Sequence, residues 1–145
     1  MSLDLVEVLI PIPLMEKFSY LPPKNNSNLL KQGSRVLVPF GKRTLVGVVW
    51  SFSERDKSSK RKYKYIKEIL DEVPLLDSNS INLAEWSSRY YHYPLGEIIS
   101  YFFPPSLRKG KEAKFRETKY LELTSKGSFL DEEALIRAPS QQKLI

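Results

Sequence analysis

Pro39-Phe40-Gly41-Lys42-Arg43 sets a ring, a glycine and two cations side by side between two strand-forming runs. Glycine lets the backbone take positive φ and lets a ligand approach the main chain, and Lys42 and Arg43 can hold a phosphate. Phe18 stands beside Ser19, a ring that can stack on a base next to a hydroxyl that can bond a sugar. Lys64 lies between Tyr63 and Tyr65, the alternation of cation and aromatic that single-strand binders use. Each group also fits a structural role: a tight turn with solvated charges at 39–43, a core phenylalanine at 18. No one of them is specific alone.

Other chemistry is poorly supplied. The chain has no cysteine and one histidine, which removes disulfides, thiolate catalysis and cysteine-ligated zinc and leaves no metal cluster in view. Gly41-Lys42 lacks the upstream glycine that a Walker-type phosphate loop requires, so ATP hydrolysis by this chain is not expected. The carboxylates of Asp71 and Glu72, and those from Asp131 to Glu133, stand in polar surroundings with no sign of a pocket, and no catalytic residue is assigned. His92, among Tyr90, Tyr91 and Tyr93, reads as a packing or hydrogen-bonded residue at a helix end. No apolar run approaches the roughly 20 residues of a membrane span, and the start lacks a signal peptide's basic region and cleavage site. A soluble, cytoplasmic chain without membrane partners is expected.

The net charge of +6 is unevenly spread. Residues 1–53 carry six cations and three anions, 54–67 seven and two, 68–100 one and six, and 101–145 nine and six. The clustering favours a polyanion partner, although Lys57 to Lys67 also fits a solvated loop.

These residues need elements to hold them. Leu5 to Ile10 has strand propensity and stops at Pro11 and Pro13, and Lys17 to Leu21 alternates before Pro22-Pro23. Gly33 introduces a strand over Ser34 to Val38. In Thr44 to Ser53, Val46, Val48, Trp50 and Phe52 fall on one face and Leu45, Gly47 and Val49 on the other. The alternation around Tyr63 and Tyr65 predicts a strand leading into Ile69-Leu70. The period then changes: Asp77 to Ser80 offers helix caps, and Ile81, Ala84, Ser88 and Tyr91, with Leu83, Trp86 and Tyr90 alongside, fit about three helical turns. Pro94 and Gly96 break that helix, and Glu97 to Phe103 resumes as a second. Residues 106–114 read as a basic linker, and 115–145 as the start of a new unit, with strand-like Lys119 to Leu123 and helix-like Asp131 to Leu135. The fold class is mainly β with α+β character: a small, partly open barrel of about 100 residues followed by a short helix pair.

Four separated blocks, VLIPIPLMEKFSYLPP (8–23), GSRVLVPFGKRTLVGVV (33–49), YIKEILDEVPLL (65–76) and WSSRYYHYPLGEII (86–99), together resemble the N-terminal region of the PriA family of bacterial replication-restart DNA helicases, the primosomal proteins N′. The resemblance runs through nearly all of residues 5–105. It implies an OB-like 3′ DNA-binding domain over 1–105, the linker at 106–114, and an incomplete winged-helix domain over 115–145, where Ser140-Gln141-Gln142-Lys143 looks like the family's helix start. It further implies capture of the 3′-OH end of the nascent leading strand at a stalled fork by Phe18, Ser19, Gly41 and Lys64, with phosphate contacts from Lys42, Arg43 and Lys62 and little base preference. The family usually carries aspartate where this chain has Ser19. Serine accepts the terminal hydroxyl's hydrogen bond only as a neutral group, and charge-assisted bonds are roughly twice as strong.

No cofactor is expected in these residues. ATP, magnesium and zinc belong to the family's helicase part, which acts as an ATP-dependent 3′ to 5′ helicase. The implied partners are forked DNA, 3′ ends and single-strand/duplex junctions, the helicase lobes, other primosome proteins and single-stranded DNA-binding protein. A protein-docking scaffold built on Tyr90, Tyr91, Tyr93 and Tyr101 is the alternative role, and an RNA-binding OB-type module a further one.

Overall fold

The computed structural model describes residues 5–55 and 61–114, together with Thr118, Tyr120, Glu122 and Thr124. The chain divides into two compact units, Met1–Ala113 and Lys114–Ile145. The features expected within 115–145, including the Ser140 to Lys143 stretch, lie outside the described residues or rest on those four alone.

Five strands form the first unit's sheet: β1 (Leu5–Leu9), β2 (Phe18–Tyr20), β3 (Arg35–Phe40), β4 (Arg43–Ser53) and β5 (Glu68–Ile69). Their order is β2-β1-β4-β3-β5, every neighbouring pair antiparallel. The two edges are joined near residue 65: a bridge links Leu21 to Tyr65, Leu21 N donates to the Lys64 carbonyl at 2.8 Å, and Ile66 N donates to the Leu21 carbonyl at 2.9 Å. That closure makes the sheet a small OB-like barrel. Val6, Val8, Tyr20, Val36, Val38, Val49 and Ile66 fill its interior.

The outer face of the sheet is covered by α1 (Ser78–Tyr91) and α2 (Leu95–Tyr101), with the short α3 (Pro105–Arg108) after them. Leu9, Val48 and Trp50 on the strands meet Ile81, Ala84, Ile99 and Phe103 in a second apolar layer. Burying a single aliphatic side chain of this size stabilises by about 2 kcal/mol, so β1 and β4, apolar on both faces, tie the two layers together. The carboxylate of Asp77 caps α1, accepting from Ser80 N at 2.8 Å.

Several elements differ from their sequence expectation. Phe52 packs with the barrel interior, not beside Val48 and Trp50. The register jumps from Glu7↔Ser51 to Val8↔Val49, so Trp50 is an extra residue, a bulge that reverses the alternation beyond it. The strand expected through Tyr63 to Leu70 is cut to Glu68–Ile69. His92 does stand at the end of the first helix, in the left-handed C-cap conformation (φ 51°) with its N–H donating to the Ser88 carbonyl, but it is exposed and not packed. Gly96 does not break a helix but sits inside α2, where a Cβ would run into the Ile10 carbonyl oxygen; glycine there lets α2 approach the end of β1. Asp71 is buried rather than in polar surroundings and pairs with Arg35, Nη2 to Oδ1 at 2.6 Å. Residues 106–114, read as a linker, are held to the sheet as far as Lys111: Arg35 Nη1 donates to the Leu107 carbonyl at 2.7 Å and the Lys111 carbonyl at 3.1 Å.

Candidate nucleic-acid interface

β3 and β4 are joined by the two-residue loop Gly41-Lys42, with Phe40 and Arg43 paired across its base. Gly41 takes φ 57° while Lys42 does not enter positive φ. This is the pattern of a type II′ hairpin turn, whose twist matches that of the strands and which needs glycine at its first position. Pro39 sits in β3 just before the turn, opposite Thr44, and its carbonyl accepts from the Tyr20 hydroxyl at 3.3 Å. Burial pushes the Tyr20 pKa up, so its phenol remains a neutral donor there.

The turn forms one wall of a cleft of about 320 Å³, together with Pro39 and Phe40. The start of β2 forms a second wall, with Glu16, Lys17, Phe18, Ser19 and Tyr20, and the segment Arg61 to Lys64 forms the third. The cleft therefore brings together Phe18, Ser19, Gly41, Lys62 and Lys64 from three separated parts of the chain. Lys42 and Arg43 are not in its wall; both are exposed, at the tip of the hairpin and the start of β4.

The side chains are held in different ways. Phe18 pairs with Val8 in register and meets Phe40 edge to face, ring centroids 5.3 Å apart, and both rings are half-buried against the barrel interior. Ser19 is half-buried opposite Glu7. A Cβ built on Gly41 meets nothing within 4 Å, so the space over the turn is open. Lys64 is exposed, but its carbonyl is fixed by Leu21 N, which gives its long side chain a defined root. The cleft wall carries four cations, Lys17, Arg61, Lys62 and Lys64, against Glu16 alone. Such a wall attracts an anion, and its rings offer surfaces on which a base can stack.

Sequence reasoning did not single out Lys17 or Arg61. Lys17 could have been found from its place beside Phe18; Arg61 enters the wall only because the barrel closure brings its segment to β2. Its guanidinium also lies 5.9 Å from the centroid of the Tyr63 ring. Among the described residues no three of His, Cys, Asp or Glu come together as a metal would require, and no helix is long and apolar enough to cross a membrane.

Comparison with known proteins gives a consistent result. The family model of the PriA 3′ DNA-binding domain matches residues 7–104. The replication restart protein PriA of Buchnera aphidicola (subspecies Acyrthosiphon pisum) is 29% identical over 127 residues, covering 88% of this chain and 17% of that protein. PriA of Haemophilus influenzae is 31% identical over 125 residues, covering 86% of this chain and 17% of its own length. PriA of Bacillus subtilis is 34% identical over 71 residues, 49% of this chain and 9% of that protein. The chain thus spans less than a fifth of the length of these three relatives.

Proposed function

The chain belongs to the family of the PriA 3′ DNA-binding domain, a DNA-binding module of replication-restart proteins, and from that premise we propose that it captures the free 3′-OH end of a DNA strand in the cleft between β2, the Gly41 turn and Lys64. One observation carries the proposal. Phe18, Ser19, Gly41, Lys62 and Lys64, scattered over nearly fifty positions, line a single cleft.

The terminal nucleotide enters over Gly41, where the main chain carries no side chain to exclude it. Its base lies against the aromatic rim formed with Phe18, and its sugar hydroxyl bonds Ser19. Lys64 and Lys62 meet the phosphate leading to it, and Lys42 and Arg43, outside the wall, meet phosphates further along. With its cations engaged on phosphate and Ser19 on the sugar, the base is held by stacking, which every base offers, so little base preference is expected. This suits an end at which synthesis can stop on any nucleotide. The wider role follows as part of the same proposal: marking the nascent leading-strand end at a stalled fork for a 3′ to 5′ helicase motor that uses ATP, in the cytoplasm.

Two substitutions test the roles separately. Lys64→Ala is expected to weaken binding to every DNA end and to reduce the slope of log K against log salt by about 0.7, from a total near −2 for about three neutralised phosphates. Ser19→Ala is expected to weaken only hydroxyl-ended strands. A flat salt response, or an equal loss on hydroxyl-ended and blocked strands with Ser19→Ala, would overturn the reading.

A second role, docking of the helicase lobes or other primosome proteins, is favoured by a separate surface. Trp86 stacks on Tyr90 at 5.0 Å, Tyr90 meets Tyr91 edge to face at 4.9 Å, and all three are more than half exposed. Tyr93 and Tyr101 are exposed as well. Tyr91→Ala should weaken partner binding and leave DNA affinity unchanged, the reverse of Lys64→Ala.

A further inference from the structure

A second cleft, of about 490 Å³, has a wall that follows that of the first along the chain. The wall of the first ends at Lys64 and the wall of the second starts at Tyr65. The opposite side is the loop from Pro23 to Asn26. Its chemistry differs from that of its neighbour. Lys24 and Lys67 are balanced by Glu68 and Glu72, so the cleft is not built for phosphate alone. Lys67 already donates to the Thr44 hydroxyl at 2.6 Å. What the cleft does offer is the ring of Tyr65, 48% exposed, with the Lys24 ammonium 5.5 Å from its centroid. Around that ring stand side-chain amides and carboxylates, groups that pair with base edges.

The surroundings are fixed. Tyr65 is presented from a backbone pinned on both sides by Leu21, and the next residue, Ile66, is 2% exposed in the barrel interior. Pro23 is buried, and Asn26 holds the left-handed conformation (φ 60°) at the start of a short 3-10 turn whose Leu29 N–H donates to the Asn26 carbonyl at 3.0 Å.

We propose that this cleft is a second nucleotide subsite, occupied by an upstream base of the same strand whose 3′ end lies in the first cleft. The inference rests on the end-binding reading for the direction of the strand. The base stacks on Tyr65, the amides of Asn25 and Asn26 and the carboxylates of Glu68 and Glu72 meet its edge, and Lys24 meets its phosphate. Carboxylates accept hydrogen bonds and asparagine pairs with the adenine edge, so bases carrying an amino group are favoured over thymine. The first cleft then supplies tolerance of any terminal nucleotide, and the second adds affinity and a mild base preference a few nucleotides upstream.

The test is competition against a labelled oligonucleotide, using unlabelled strands of one to six nucleotides with the same 3′-terminal residue and either adenine or thymine upstream. Affinity should rise about tenfold once the strand reaches Tyr65, more for adenine than for thymine. Tyr65→Ala should abolish that rise and leave the mononucleotide affinity unchanged, while Tyr65→Phe keeps the rise. A rise that survives Tyr65→Ala, a loss equal at every length, or no dependence on length would overturn the proposal. Failure of the mononucleotide to bind in a 3′-hydroxyl-dependent way would instead refute end capture. The same length series with 3′-phosphate strands would then decide the second cleft on its own, by whether the rise depends on Tyr65.

Discussion

Replacing Asp71 by alanine removes the acceptor of three hydrogen bonds from Arg35: the backbone N at 2.9 Å, Nε at 2.9 Å and Nη2 at 2.6 Å. The side chains of Arg35 and Asp71 are 0% and 3% exposed, so the guanidinium would stay in the interior with the Leu107 and Lys111 carbonyls and the face of the Phe103 ring but no counter-ion. A hydrogen bond to a charged group contributes about 1.5–3 kcal/mol, but three such losses do not add, because water enters the vacated space. Breaking a buried pair from one side costs about 3–5 kcal/mol, and about 4 kcal/mol is expected here. For a unit of this size each kcal/mol shifts the melting point by roughly 5 °C, so Asp71→Ala should melt about 20 °C below the parent. Thermal and urea unfolding followed by circular dichroism would measure the loss. A cost under about 1 kcal/mol would mean that the guanidinium reaches water in the variant and would refute the account of this site. Arg35→Met combined with Asp71→Leu should recover much of the loss, since an apolar pair leaves no ion to desolvate. A double variant as unstable as Asp71→Ala would show that shape, not charge, holds β3 to the segment after α2.

Gly41→Ala places a side chain in open space but at φ 57°, which strains an L residue, so it should cost about 1–3 kcal/mol of stability, while DNA affinity of the folded protein falls more than tenfold if the nucleotide uses that space; parallel melting and binding curves separate the two. Gly96→Ala should be far more damaging than an ordinary helix substitution, by more than about 2 kcal/mol in urea unfolding, because its Cβ would meet backbone at the Ile10 carbonyl. Hydrogen bonding to Ser80 holds the Asp77 carboxyl below the usual carboxylate range. The cap's contribution is therefore complete above the unfolded pKa, near 4, and is lost as pH falls through the lower folded value. Asp77→Asn should remove this contribution to the acid limb of the unfolding profile while keeping the helix.

The sequence showed well what depends on near neighbours. The prolines that stop β1, the hairpin turn at Gly41-Lys42 and the Asp77 cap are local effects, and each lies where its residue types demand. The alternation over Thr44 to Ser53 put Val48 and Val49 on opposite faces, and they lie there, Val49 in the barrel and Val48 under the helices. What depends on pairing across the chain was not legible. Trp50 becomes a bulge only because β1 and β4 meet in one register, and Phe52 changes face as a result. Asp71 gives no local sign that its partner lies 36 residues earlier. Gly96 reads as a helix breaker until β1 is known to lie against it. The family resemblance named Phe18, Ser19, Gly41, Lys62 and Lys64, which share the first cleft's wall, but also Lys42 and Arg43, which lie outside it, and it did not name Lys17 or Arg61; the second cleft depends on how the 23–26 loop faces Tyr65, which no spacing encodes.

The central claim is end capture, and it is tested most directly by fluorescence anisotropy of this chain with two DNA strands identical except for a 3′-hydroxyl or a 3′-phosphate, at two salt concentrations. The account predicts a preference of about tenfold or more for the hydroxyl end, about 1.4 kcal/mol, retained at both salts. Equal affinity for the two ends would contradict it and leave a basic DNA-binding surface that does not read the terminus.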